Sequence, residues 1–528
     1  MSAEPRLLDL DIFPVQDVSD DRFDGIIIVA APNLVADNKE FGRTLMLAIE
    51  LDNGLRTEAG VIPVPDSKVK RIVFSPTGCV DEDYDDVRCF RKAANIAIRR
   101  AIKAGVQKPM VYLQGHPQFN NSPLVTLLGI LEGLYVHIQI REMAPHKNHN
   151  IKTIGIYTKF QDEVDSLIQT AIVLETGRRV ACDIGDSDPE RMSPPKVEEY
   201  VTALFSNTSV KMTVIKEAKE FAKDYPLFEA VNRAASKIQR HQGRIMFLEY
   251  VPKEEVLKTL FLVGKGVTYD TGGVDVKING GMAGMSRDKC GAAAAVGFLK
   301  MVELLQPKHM RVVVGIGVVR NSVGSNSYVQ DELIKARSGV MVRIGNTDAE
   351  GRMIMADVLC KIKEMAITAV NPHLYTIATL TGHAVITAGF GYNIVIDNGP
   401  AKKEKHAQKL QLMGEEIGDP YEISVLRRED FDFVKGQGVG DDVLQSNNKP
   451  SSVTQRGHQA PFAFLIMSSG LDKHGSGHQK PLKYSHIDIA ASTLNYPHPG
   501  TGAPVLSLAN AYLLCSETCS ASSATKWK

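Results

Sequence analysis

The 528-residue chain has little of what marks several protein classes: seven cysteines, one tryptophan and no excess of either charge. The cysteines are scattered and odd in number, without a CxxC zinc spacing. This excludes a disulfide framework and predicts free thiols in a reducing compartment. Lysine plus arginine equals aspartate plus glutamate, at 61 each. That balance disfavours nucleic acid or an anionic membrane as the main partner.

The sequence also lacks a run of about 20 apolar residues and a signal-peptide pattern at its N-terminus. We therefore expect a cytoplasmic protein that does not associate with membranes. Hydrophobic residues make up 44% of the chain and charged residues 23%, as in soluble globular proteins. A chain of this length is expected to form two or more domains.

Short β-rich runs alternate with helical periodicity along the chain, which predicts an α/β fold throughout. In the first third, strands are predicted at 26–29, 71–74, 111–113 and 154–157, and helices at 85–104 and 123–136. In the rest, strands are predicted at 244–250, 259–263, 312–319, 340–344 and 374–378, and helices at 289–305 and 353–365.

These patterns predict two α/β domains, of which the C-terminal one is larger and has a central, mostly parallel sheet flanked by helices. We expect a smaller N-terminal domain over 1–160, a linking helix over 161–185, and the larger domain over 186–514. The stretch 183–195 is rich in Asp, Ser and Pro and is predicted to be irregular. The tail over 515–528 is predicted to be disordered.

Four stretches of the larger domain concentrate carboxylates and cations, most of them in glycine-rich segments. They are Gly-Lys-Gly-Val-Thr-Tyr-Asp-Thr-Gly-Gly over 264–273, Lys277, Met-Ser-Arg-Asp over 285–288, and Asn-Thr-Asp-Ala-Glu-Gly-Arg over 346–352. Carboxylates gathered in a cleft repel one another unless cations lie between them. Two of the stretches follow predicted strands, where sites form in open α/β sheets. The set predicts metal-assisted hydrolysis.

Several other motifs fail on individual residues. Gly264-Lys265 lacks the glycine and the Ser/Thr that a phosphate loop requires, and Arg320 stands where a dinucleotide fingerprint needs glycine. The Asp-Thr-Gly triplet of aspartic proteases occurs once, at Asp270, whereas such a site needs two carboxylates that share a proton. These three functions are therefore disfavoured.

Taken singly, the motif residues also have simpler explanations. An Asp-Ala-Glu turn is often an acidic surface loop, and a lone lysine is usually solvated. Lys277 and Arg352 could serve as structural salt-bridge partners of the carboxylates. His486 and Asp488 face one way in a strand, and we favour structural hydrogen bonding for them over metal ligation.

Taken together, the motifs resemble the M17 leucine aminopeptidase family. That family carries Val-Gly-Lys-Gly-Val-Thr-Phe/Tyr-Asp-Thr-Gly-Gly, a lysine shortly after, Met-x-x-Asp before a helix of small residues, and then Asn-Thr-Asp-Ala-Glu-Gly-Arg. The small-residue helix begins here at Cys290, and the resemblance continues through 355–357, 378–382 and 486–490. It covers the C-terminal two thirds of the chain. It implies a metal-dependent aminopeptidase acting on peptides with a free N-terminus, assembled as a homohexamer.

The resemblance further implies two adjacent divalent metals, Zn or Mn with Mg or Co as alternatives. Their implied ligands are Lys265, Asp270, Asp288, Asp348 and Glu350. A water between the metals would attack the first peptide carbonyl. Lys277 would stabilise the oxyanion, and Arg352 would hold a bicarbonate that acts as general base.

The first side-chain pocket of the family is implied at Met285, Thr379 and Gly382, which predicts a preference for apolar, leucine-like N-terminal residues. Three departures from the family pattern lie nearby. His383 stands where the family usually has alanine, 320–322 replaces a segment that often carries Glu-Asn, and 455–461 replaces a glycine- and alanine-rich segment. Like His383, His458 sits in a glycine-flanked turn, and the roles of both stay open. The departures bear on side-chain preference more than on catalysis.

Overall fold

In a computed structural model, the described residues 7–514 divide into two compact units. One comprises 7–176, 413–418 and 514, and the other comprises Gly177–Leu412 and Asp419–Leu513. The predicted disordered tail over 515–528 lies outside the described residues. The domain limits placed at 160 and 185 stay predictions.

The N-terminal unit is a six-stranded sheet with helices packed on it. Its strands are β1 Asp11–Pro14, β2 Gly25–Ala30, β3 Gly60–Pro63, β4 Arg71–Pro76, β5 Pro109–Leu113 and β6 Thr153–Thr158. Its helices are α1 Gly42–Leu51, α2 Arg88–Lys103, α3 Ser122–Gly133 and α4 Ile138–Met143, and α5 Val164–Gly185 runs on into the larger unit. The strand order is β1-β6-β5-β2-β4-β3, with β3 alone antiparallel to its neighbour.

The larger unit has eleven strands among its described residues. They are β7 Lys211–Ile215, β8 Arg244–Tyr250, β9 Lys258–Asp270, β10 Met310–Asn321, β11 Leu333–Lys335, β12 Met341–Arg343, β13 Pro372–Ala378, β14 Asn393–Asp397, β15 Tyr421–Val425, β16 Val443–Leu444 and β17 Lys483–Asp488. Its helices are α6 Pro194–Phe205, α7 Ala218–Asp224, α8 Pro226–Asn232, α9 Cys290–Leu305, α10 Glu350–Ala366, α11 Gly382–Ala388, α12 Gly399–Lys403, α14 Arg428–Val434, α15 Gln459–Ser469, α16 Ala490–Thr493 and α17 Val505–Ala509. Helix α13 His406–Ile417 begins in this unit, and its last residues, 413–417, belong to the N-terminal unit.

Eight of these strands form one sheet in the order β15-β14-β17-β13-β9-β10-β8-β7. Its four central strands, β17, β13, β9 and β10, are mutually parallel. Strands β11, β12 and β16 form a separate small sheet. The predicted fold of two α/β domains, the larger one with a central, mostly parallel sheet flanked by helices, is confirmed.

Two local predictions were wrong, and the strand predicted at 340–344 is present as β12 of the small sheet. Strand β9 does not end before Lys265 but continues through it to Asp270. The stretch 183–195 is irregular only between α5 and α6, because α5 continues to Gly185 and α6 begins at Pro194, a residue well suited to a first helical turn.

The glycines beside Lys265 explain the first error. Gly-Lys-Gly suggested a turn, yet both glycines are needed where backbones approach closely. A Cβ on Gly264 would lie 2.5 Å from Ala292 Cα in α9, and one on Gly266 would lie 2.6 Å from the Gly317 carbonyl oxygen in β10. The small residues therefore allow a helix and a neighbouring strand to pack tightly against β9.

No helix within residues 7–514 is long and apolar enough to cross a membrane.

Candidate metal centre

Strand β9 carries two of the predicted ligands, Lys265 and Asp270. Five residues apart, they would point to opposite faces of a regular strand. The pairing with β10 shifts by one residue here: Val267 pairs with Val319 and Tyr269 with Arg320, which leaves Thr268 unpaired. This bulge reverses the alternation, so that both side chains reach the same face of the sheet.

One part of the site, which we call the deep half, is centred on the Lys265 ammonium group. Lys265 Nζ lies 2.7 Å from Asp288 Oδ1 and 2.9 Å from Glu350 Oε1, and it donates to the Thr379 carbonyl oxygen at 2.9 Å. The side chains of all three ion-pair partners are at most 4% exposed. Gly351 leaves room for this lysine, because a Cβ there would lie 2.4 Å from Lys265 Cε.

The other part, the open half, is centred on Lys277. Lys277 Nζ lies 2.8 Å from Asp270 Oδ2 and also contacts Asp348 Oδ1. The side chains of Lys277 and Asp348 are 18% and 30% exposed, whereas that of Asp270 is 4% exposed. The site thus has one side that faces solvent, through which a substrate can enter.

Carboxylate oxygens of Asp270, Asp288 and Glu350 all lie within 4.8 Å of one another, a group able to hold a metal ion. Asp288 Oδ2 and Glu350 Oε2 are buried and have no hydrogen-bond partner within the described range 7–514. Buried polar atoms are rarely left in this way unless a ligand or ion satisfies them. Asp348 is not in this group but joins it through the shared Lys277.

The electrostatics show a demand for positive charge. Burial raises the pKa of Asp348 to about 7, reinforced by the nearby Asp270 and opposed by Lys277. Burial also raises the pKa of Asp288 well above its usual value. Burial alone would lower the pKa of Lys265, but the charges of Asp288 and Glu350 raise it instead. Two ammonium groups do not fully compensate four carboxylates, and divalent cations would relieve the repulsion.

Asn321, the last residue of β10, supports the site although no role was predicted for it. Its Nδ2 donates to Asp270 Oδ1 at 2.8 Å and to the Thr347 carbonyl oxygen at 3.1 Å. It therefore ties a predicted ligand on β9 to the loop that carries Asp348. The available signal was its place two residues past the strand predicted at 312–319. The bulge that sets its pairing with Asp270 is not visible in the sequence.

Gln445 is a second supporting residue that sequence reasoning missed. Fully buried, its side chain accepts from the backbone N–H groups of Gly345 and Asn346 and donates to the carbonyl oxygens of Asn346 and Ala349. It fixes the 345–349 loop just before Glu350 opens α10. Nearly 100 residues separate it from that loop, and no motif marks it.

Arg352 lies in the first turn of α10, where Glu350 is also placed. Its Nη1 donates to the Gln445 carbonyl oxygen at 2.9 Å, while its buried Nε has no hydrogen-bond partner in the part of the chain that the structure describes. Burial lowers the pKa of the guanidinium to about 10, against the opposing charge of Glu350. The guanidinium is therefore still charged at neutral pH and is short of an acceptor.

The three residues predicted to line the side-chain pocket lie on different segments. Thr379 adjoins the cluster directly, because its Oγ1 donates to Asp288 Oδ1 at 2.7 Å. Gly382 is the exposed first residue of α11, and its N–H donates to Ser451 Oγ at 2.9 Å. Met285 is half-buried in a 3-10 turn over Met285–Arg287 just before Asp288.

His486 and Asp488 make structural hydrogen bonds, in agreement with the role favoured for them. His486 Nδ1 bonds Thr376 Oγ1 at 2.7 Å. Asp488 accepts from the Leu380 N–H at 3.1 Å and from Thr381 Oγ1 at 2.7 Å. Asp488 thereby anchors the segment that leads from Thr379 into α11.

The profile described as "Cytosol aminopeptidase family, catalytic domain" (peptidase M17) matches residues 179–509. The chain belongs to this family. The match spans the deep and open halves and confirms the predicted family and enzyme class, a hydrolase acting on peptide bonds.

Relatives in the cytosol aminopeptidase family resemble the chain to different extents. The Caenorhabditis elegans protein W07G4.4, named as an aminopeptidase, is 40% identical over 511 residues, covering 95% of this chain and 97% of that protein. The Vibrio cholerae cytosol aminopeptidase is 28% identical over 272 residues, covering 51% and 52%. Among solved structures, the bottromycin maturation enzyme BotP in complex with Mn gives a TM-score of 0.72 at 20% identity, covering 92% of this chain and 98% of BotP. That similarity shows the shared fold.

Proposed function

We propose that the chain is an aminopeptidase that uses two divalent metal ions to remove apolar, leucine-like residues from peptide N-termini. The observation that carries this proposal is the buried group of Asp270, Asp288 and Glu350, with its unpartnered carboxylate oxygens. The complete ligand set would be Lys265, Asp270, Asp288, Asp348 and Glu350. Family membership supplies the reaction class.

The donor set fits such metals. Four carboxylates and one amine suit Zn or Mn, and also Mg or Co, better than a metal selected by thiolates. Lys265 can act as a ligand only after it loses a proton, and its ammonium group lies between two of the carboxylates that would share the metal. Metal binding at the deep half is therefore coupled to release of that proton.

When bound, the two metals would supply an activated water and a polarised substrate carbonyl. The chain's own residues perform the remaining tasks. Lys277, held at the open half, keeps its charge and stabilises the oxyanion that develops on the carbonyl oxygen. Asn321 and Thr379 orient Asp270 and Asp288 through the hydrogen bonds described above. Arg352, whose Nε lacks an acceptor, holds a bicarbonate that serves as the general base.

Restriction to the N-terminus would follow if the substrate's free amino group binds at the cluster while its first side chain lies against Met285, Thr379 and Gly382. We further propose that the enzyme is cytoplasmic, as the names of several relatives indicate for those proteins. A homohexamer is proposed from the family resemblance.

The test is hydrolysis of leucine anilide by protein loaded with Mn or Zn, with bound metal measured by mass spectrometry. The Asp348→Ala variant should lose at least about 100-fold in kcat/KM, because a ligand at the open half is removed. Asp472→Ala, an exposed aspartate in the same unit, is the matched control and should retain full activity. Wild-type turnover no higher than that of the metal-loaded Asp348→Ala variant would contradict the proposal.

A further inference from the structure

Two histidines that depart from the family pattern meet beside the proposed side-chain pocket. His383 Nδ1 and His458 Nδ1 lie 2.7 Å apart, although 75 residues separate them in sequence. At this distance one ring donates an N–H and the other accepts it. Burial lowers the pKa of both rings, that of His458 to about 4. The pair is therefore uncharged at neutral pH.

The pair is held firmly on the His458 side. His458 is 2% exposed, and its Nε2 bonds Ser424 Oγ at 2.9 Å. The preceding segment is anchored by Arg456, which donates to both carboxylate oxygens of Asp430 and to the Val425 carbonyl oxygen. Gly457 allows the close approach, because a Cβ there would lie 2.9 Å from His383 Cβ.

The His383 side chain is only partly buried, and only one of its two ring nitrogens is hydrogen-bonded within the described residues. Its Nδ1 is used by His458 and by Thr387 Oγ1 at 3.1 Å. Its Nε2 has no hydrogen-bond partner among residues 7–514. The structure thus presents one neutral, unused ring nitrogen on the first turn of α11.

His383 adjoins, along the chain, the residues proposed to line the side-chain pocket. It directly follows Gly382, one of those residues, which is exposed. Four residues lead from Thr379, bonded to Asp288, to His383, so the two are at most about 14 Å apart along the chain. Residues that adjoin His383 along the chain are thus the ones proposed to contact the substrate side chain.

We propose that His383 is a specificity-determining residue whose free Nε2 hydrogen-bonds the end of a long polar substrate side chain, a carboxamide such as glutamine. A carboxamide both donates and accepts, so it matches either tautomer of the ring. Because the pair is neutral, it favours a neutral partner over a charged one. The inference rests on the proposed aminopeptidase function and extends its substrates beyond leucine-like residues.

The experiment compares kcat/KM for glutamine, methionine and leucine anilides in wild type and His383→Ala. Methionine matches glutamine in length without the amide. The variant should lose about three- to tenfold on glutamine, the range supported by one neutral hydrogen bond, while leucine and methionine change by less than about twofold. His383→Gln, which keeps an amide near the ring position, should restore most of the glutamine activity. Ile386→Ala, on an exposed residue of α11, is the matched control.

Two outcomes would overturn the inference in an active enzyme: an unchanged glutamine-to-methionine ratio in His383→Ala, or an equal loss on all three substrates, which would indicate a purely structural role. Wild-type protein that hydrolyses none of the three anilides would instead contradict the proposed function, and the inference with it. Leucine turnover in the same samples shows that each variant is folded.

Discussion

The deep and open halves of the site use the same chemistry, a lysine between two carboxylates, in different surroundings. Around Lys265 the carboxylates are almost completely buried. The Thr379 carbonyl oxygen accepts from Lys265, and the Thr379 hydroxyl donates to Asp288. Around Lys277 the lysine and Asp348 remain partly exposed. If the two proposed metals bind, this difference predicts a division of labour, in which the deep half would hold its ion tightly and the open half would exchange its ion and contact substrate.

The largest effect that tests this division is expected for Lys277→Ala. If Lys277 stabilises the oxyanion, kcat should fall by about 100-fold, or about 3 kcal/mol of transition-state stabilisation. Metal content should stay unchanged, because removal of a cation from between Asp270 and Asp348 does not weaken their attraction for metal. Lys473→Ala, an exposed lysine in the same unit, is the control. Parallel loss of metal and activity would show that Lys277 is a scaffold residue.

Gly351→Ala probes the deep half without removing a ligand. The added Cβ would press on the flexible end of Lys265 and not on backbone. We therefore expect the melting temperature to be nearly unchanged, while metal affinity falls by about 10- to 100-fold. Isothermal titration with Mn measures the affinity. Gly477→Ala is the control, since a Cβ there meets nothing within 4 Å. Unchanged metal affinity would mean that the deep half adapts more easily than its packing indicates.

The smallest effect is a pH dependence of the open half. The pKa of Asp348 is raised from 3.8 to about 7, chiefly by burial. The folded, metal-free protein therefore holds this proton more tightly than the unfolded chain. The resulting stabilisation is present below about pH 4 and is lost as the pH rises through 7.

In EDTA, the melting temperature of the wild-type protein should decrease from pH 5 to pH 8 as Asp348 loses its proton. The Asp348→Asn variant, which lacks this titration, should show a smaller decrease. With Mn the trend should reverse, because metal binding competes with the proton. Differential scanning fluorimetry across this range measures both slopes. Identical slopes for wild type and Asp348→Asn would place the titration on another group.

The sequence predicted the fold class because strand and helix periodicities are local, and it predicted the ligand candidates because they lie in contiguous motifs. The course of β9 was missed because glycine is typical both of turns and of close backbone packing, and only the neighbour at Ala292 distinguishes the two. Gln445 could not be found, because its role depends on a contact with a loop nearly 100 residues away. The meeting of His383 and His458 depends in the same way on tertiary structure.

The glycine contacts along β9 have a consequence for the motions of the protein. Gly264 lies directly against the backbone of α9, and a Cβ on Gly291 of that helix would lie 2.1 Å from the Ile377 carbonyl oxygen in β13. Backbones this close leave no layer of side chains that could rearrange and let solvent between them. The amide hydrogens of β9 over 259–264, where the strand is paired on both sides, should therefore exchange with solvent only when the whole sheet opens. Lys265 directly follows this slowly exchanging segment, whereas the more exposed segment around Lys277 should exchange faster.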